Sequence, residues 1–221
     1  QRQMCIRDSA AAFLTLTQPD AVFYAPRFSN RNSDLKNAAY LAALSQALET
    51  KDSLLVSWLK PVDDIPAFIN CQYLFIRLPE VFYCSVTKNL ITEWIDKILS
   101  RKRVTVSGNK PLRLIGRHLL VQMTAAAALK CLANPGFDRT YKLAANGETS
   151  LFELVGFIHS TLARLLPNHN FAKLIFAEEE PVRLSEEFDT SFMENFNVIL
   201  PGWRTGVEET IVAYLVHRKL F

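Results

Sequence analysis

Apolar and polar positions along this chain repeat with two different periods. Short apolar runs of strand length stand at residues 20–25, 53–57, 73–78 and 140–145. Pro26 closes the first, Pro79 the third, and the Asn146-Gly147 turn the fourth. Between them the spacing changes to that of a helix. Leu41, Leu44 and Leu48 recur over residues 34–49, with Ala38, Ala42 and Ala47 allowing close approach to a sheet. Leu90, Ile91, Trp94, Ile95 and Ile98 do the same over 86–99, and Leu151, Leu154, Val155, Ile158, Leu162 and Leu165 over the long helix predicted after Ser150. Strand runs alternating with helical periods predict an α/β fold around a parallel, doubly wound sheet.

Lesser elements fill the gaps. Residues 103–106 alternate as a short strand, 107–110 form a turn, and 121–128 continue as a helix stopped by Asn134-Pro-Gly136. Ser150 with Glu153, and Thr205 with Glu208, have capping-box spacing at the starts of the last two long helices. A strand over 171–176 and a short helix within 185–197 are also expected.

Composition narrows the class. The chain has 221 residues, 49% of them hydrophobic, enough for a substantial core. A formal charge of +3, with no basic cluster interleaved with aromatics, gives no argument for nucleic acid. The triplet Arg101-Lys-Arg103 falls at a predicted helix end, where cations suit the dipole. Cys71, Cys84 and Cys131 have no CxxC spacing and read as reduced, buried thiols, which implies a cytoplasmic location. No run of about 18 apolar residues predicts a membrane span. His118 has no partner at ligand spacing, so no metal site is expected.

Several stretches carry a resemblance to a known family. Arg77-Leu-Pro-Glu-Val-Phe-Tyr83 resembles the Arg-x-Pro-x-Val-Tyr-Gly segment of the extended short-chain dehydrogenases, the NAD-dependent epimerase/dehydratase family. Tyr141-Lys-Leu-Ala-Ala-Asn-Gly-Glu-Thr-Ser-Leu-Phe-Glu-Leu154 is similar to that family's turn and helix start, and is the most specific match. Pro201-Gly-Trp-Arg-Thr-Gly206 resembles the closing motif of nucleotide-sugar epimerases and dTDP-4-dehydrorhamnose reductases. The resemblance implies a partial Rossmann-like sheet with a smaller carboxyl-terminal substrate lobe. It assigns residues 10–82 to the remainder of the NAD(P)-binding part and 83–221 mainly to the substrate lobe, with 140–145 returning to the sheet.

Site residues follow from the same resemblance. Ser57 falls where the family has its catalytic serine or threonine, a hydroxyl that bonds the substrate oxygen while a tyrosine moves the proton. Ala25, Pro26, Asn37 and Pro79 fall at cofactor-edge positions, and Tyr83 and Arg117 at substrate positions, with Arg113 a second candidate for the nucleotide phosphates. The implied cofactor is NAD or NADP and the implied partner a nucleotide sugar; a homodimer is left open. Taken alone, Ala25-Pro26 reads equally as a strand followed by an ordinary turn, while Asn37 and Arg117 read more readily as solvated side chains.

Two departures matter. Residues 58–72 contain no tyrosine, so the family's Tyr-x-x-x-Lys pair is missing, and Met123 stands where the family has an Asp. Tyr83 and Lys88, five apart across a loop, do not replace that pair, and Asp63-Asp64 reads as a helix-start signal. Gln3-Met-Cys-Ile-Arg-Asp8 resembles a translated sequencing-library adaptor, so residues 1–9 are expected to be foreign and the family's Gly-rich loop to be missing. The expectation is an epimerase, dehydratase or reductase-like protein, inactive as this piece. A binding-only relative and a scaffold protein are the alternatives.

Overall fold

The apolar run beginning at residue 53 becomes the most enclosed strand among the described residues. The computed structural model describes residues 14, 17–25, 31–49, 53–60, 69, 71–84, 87–100, 102–108, 110–134, 139–178 and 190–220, except the side chains of 31–37 and 139. The chain divides into two compact units: Gln1–Leu78 with Gln122–Lys142, and Pro79–Val121 with Leu143–Phe221.

The first unit is built on a parallel four-stranded sheet. Its strands are β1 (Ala21–Tyr24), β2 (Leu54–Leu59), β3 (Tyr73–Arg77) and β8 (Arg139–Lys142), in that order across the sheet. Leu54, Leu55, Val56 and Leu59 of β2 are all buried, the continuous apolar pattern that a parallel strand covered on both faces requires. On one face Leu55, Leu59 and Phe75 pack with Leu41 and Leu48 of helix α1 (Arg31–Leu48). On the other, the Trp58 indole Nε1 donates to Thr124 Oγ1 at 3.1 Å. Thr124 belongs to helix α3 (Arg117–Ala133), whose Ala127, Ala128 and Cys131 are also buried.

Two strand ends differ from expectation. β2 runs two residues past Ser57, because Trp58 and Leu59 pair in register with Ile76 and Arg77. Conversely, β8 stops at Lys142 although Leu143, Ala144 and Ala145 are apolar and buried. Arg77 opposite Lys142 is the last pair, since Pro79 follows β3 and cannot donate to a ladder.

In the second unit three helices share a core: α2 (Leu90–Ser100), α4 (Leu151–Leu165) and α6 (Trp203–His217). Ile91, Ile95 and Ile98 meet Leu154, Ile158 and Leu162, and Val207, Ile211 and Leu215 complete the centre. Short ribbons border it. β4 (Val81–Tyr83) runs parallel to β7 (Leu114–Gly116), β6 (Pro111–Leu112) antiparallel to β9 (Thr149–Ser150), and β5 (Arg103–Val106) parallel to β10 (Lys173–Phe176). A six-residue helix, α5 (Ser191–Phe196), buries Phe192 and Phe196; residues 185–189 of the expected helix lie outside the described ones.

Helix starts in this unit depend on side chains. α2 begins at Leu90, four residues later than the spacing predicts, because Asn89 caps it: its Oδ1 accepts from the amides of Ile91 at 2.9 Å and Thr92 at 3.2 Å. Ser150 caps α4 by accepting from the Glu153 amide at 3.1 Å. The second half of that capping box is diverted. The Glu153 carboxylate accepts from Thr149 Oγ1 at 3.0 Å and pairs with Arg204. The box expected at Thr205 and Glu208 does not form. Trp203, buried at 4% exposure, already opens α6, and Glu208 lies inside the helix, where it pairs with Arg164.

Candidate functional site

In a parallel sheet every strand delivers its carboxyl end to the same edge, where open α/β folds bind ligands. β1 ends at Tyr24, which is in register with Ser57 of β2, so Ala25 and Ser57 come to neighbouring strands. Ala25 is exposed; Pro26 lies outside the described residues. Ser57 sits within β2, not at its end. It is 1% exposed, and its hydroxyl donates to the Trp58 carbonyl at 3.3 Å. That long contact to its own neighbour is a weak hydrogen bond. Because α1 begins at Arg31, Asn37 lies in its second turn instead of its first. Pro79 ends the β3 run half-buried, following Leu78, whose amide donates to Leu59 O at 2.8 Å.

The second unit gathers Tyr83 and Arg117. Tyr83 closes β4 in register with Gly116 of β7, and Arg117 is the next residue. Strand β7 leads directly into α3 at Arg117. This puts an exposed guanidinium at a helix amino terminus, where the unpaired amides and the dipole also favour an anion.

Tyr83 is held differently. It is 2% exposed, and two glycines make room for its ring. A Cβ built on Gly206 of α6 would lie 2.5 Å from the Tyr83 hydroxyl, and one on Gly116 3.0 Å from Cε2 of the ring. Burial, and secondarily the Glu209 carboxylate, raises the Tyr83 pKa far above that of an ordinary phenol. A tyrosine that moves a proton near neutral pH needs a shift in the opposite direction. Tyr83 is therefore a packing group enclosed between the two glycines.

Arg113 is also committed. Its guanidinium pairs with Glu148, both side chains being largely enclosed at 19% and 10% exposure. Of the two arginines offered for phosphates, Arg117 is the one that faces solvent. Lys88 is exposed and pairs loosely with Glu93 at 3.7 Å. Among the described residues no group of three or more His, Cys, Asp or Glu could hold a metal ion, and no helix is long and apolar enough to cross a membrane.

Three structural features escaped the sequence reading. Asn89 could have been found, since Asn immediately before an apolar helical period is a cap signal. The Gly116–Tyr83–Gly206 contact and the Arg113–Glu148 pair join segments far apart in the chain and leave no local pattern.

No protein-family model matches the chain, and no curated protein matches it. Solved structures do. The dTDP-4-dehydrorhamnose reductase of Bacillus anthracis, in complex with NADP, superposes with a TM-score of 0.63 at 13% identity, over 93% of this chain and 84% of that one. The chain shares that structure's fold. The UDP-glucose 4-epimerase of Thermotoga maritima, with UDP-glucose, gives 0.64 at 11% identity, over 97% of this chain and 82% of that one. The dTDP-glucose 4,6-dehydratase of Bacillus anthracis, in complex with NAD, gives 0.65 at 10% identity, covering 97% and 78%. At such identities the likeness establishes the Rossmann-like α/β fold, not the chemistry.

Proposed function

We propose that this chain is an NAD(P)-dependent nucleotide-sugar epimerase, dehydratase or reductase-like protein that binds a dinucleotide cofactor and a nucleotide sugar. One observation carries the reading. Nearly the whole chain follows the fold of a reductase solved with NADP, an epimerase solved with UDP-glucose and a dehydratase solved with NAD. On this reading residues 10–82 belong to the cofactor side, with Ala25, Pro26, Asn37 and Pro79 along its edge. Residues 83–221 belong mainly to the sugar side, with 140–145 returning to the sheet. Arg117 would meet the diphosphate through charge-assisted hydrogen bonds. Ser57 would orient the substrate oxygen, and the protein would act in the cytoplasm; a homodimer is left open.

A second reading, binding without turnover, is favoured by specific observations. Residues 58–72 have no tyrosine, Ser57 is buried within its strand, and the Tyr83 pKa is displaced the wrong way for proton transfer.

A fluorescence titration with NADH and NADPH, followed by a turnover assay over a panel of UDP- and dTDP-sugars, separates the two. Binding with turnover that disappears in Ser57→Ala supports the enzyme. Binding without turnover supports the second reading. Failure to bind either cofactor or any nucleotide sugar, by a folded protein, removes both.

A further inference from the structure

We draw no further inference here: the strongest candidate, the uncharged outer face of α3 on which Ala125, Ala126, Leu129 and Ala133 are exposed, is an unpartnered apolar surface, and nothing in the structure shows what covers it.

Discussion

In the sheet unit, β2 buries residues on both of its faces, and Leu55, Leu59 and Phe75 pack directly against Leu41 and Leu48. In the helical unit the core is equally apolar, but polar side chains mark its edges. Asn89 caps α2, Ser150 caps α4, Arg113 pairs with Glu148, and Tyr214 donates to both carboxylate oxygens of Asp96 at 2.9 Å. Among the described residues the first unit is held mainly by apolar packing, with the Trp58–Thr124 hydrogen bond on one face of the sheet. The second depends also on fitted contacts, among which Tyr83 between its two glycines is the tightest. The difference teaches that a likeness in fold can be carried by the burial pattern alone, whereas function has to be argued from particular side chains.

The largest effect expected is in the sheet. Phe75 is fully buried, and Phe75→Ala should cost about 3–5 kcal/mol, the loss of a buried aromatic plus the cavity it leaves. Denaturant unfolding measures this. A loss below about 1 kcal/mol would mean that the sheet core is not the organising element described.

Next comes the fitted contact. Gly206→Ala should destabilise by about 1–3 kcal/mol through overpacking against the Tyr83 hydroxyl. Removing that hydroxyl should relieve much of the cost, so a double-mutant cycle with Tyr83→Phe should show clear coupling. Gly156→Ala serves as control. Nothing lies within 4 Å of its Cβ position, and an alanine there, within helix α4, should be neutral or slightly stabilising. Equal losses at Gly206 and Gly156 would contradict the packing account.

The same tyrosines set an alkaline limit. Burial raises Tyr83 most, while Tyr214 is raised by burial and then by its bond to Asp96, and Tyr24 by burial and then by Tyr40. A phenol whose pKa is higher in the folded state holds its proton more tightly there. Its contribution is fully present below the unfolded value of about 10 and is lost as pH rises above it. Melting temperature should therefore fall above pH 10, and less steeply in Tyr83→Phe. In a titration followed at the tyrosinate absorbance, part of the signal should appear only on unfolding. A single tyrosinate titration that accounts for every tyrosine, centred at about pH 10 with the fold intact, would overturn the burial of Tyr83.

A smaller effect is expected at the helix start. Asn89→Ala should cost about 1 kcal/mol, the usual worth of an N-cap, and Asn89→Asp or Asn89→Ser should retain most of it. If all three variants melted like the parent, α2 would owe its start to packing alone.

Much of the sheet was legible because its signals are local. The runs at 53–57 and 73–78 identified β2 and β3, and Pro79 marked the end of β3, but the short strand β4 just beyond it was not foreseen. What was missed depends on pairing between segments. Ser57 reads as a strand end until Trp58 and Leu59 find Ile76 and Arg77 across the ladder. Residues 140–145 read as one strand, but β8 ends where its neighbour does. In the helical unit, Ser150 was legible as a cap because a capping residue and its amide are three apart. The start of α6 was not, because Trp203 owes its place to burial among distant residues. For the candidate site, Arg117 was preferred from the sequence, but the reason Arg113 is committed elsewhere, its pairing with Glu148 35 residues away, was not visible there. The residue types were visible, but their commitments were not.

The most direct test of the central claim is a calorimetric titration of UDP-glucose and dTDP-glucose into the protein, with and without NAD(P)H, in the parent and in Arg117→Ala. Arg117 is exposed, so its removal should leave stability within about 0.5 kcal/mol and make a clean comparison. The account predicts saturable binding of at least one nucleotide sugar, weakened about tenfold by the substitution, the worth of a charge-assisted hydrogen bond to phosphate. A folded protein that takes up neither nucleotide sugar, with or without cofactor, would contradict it.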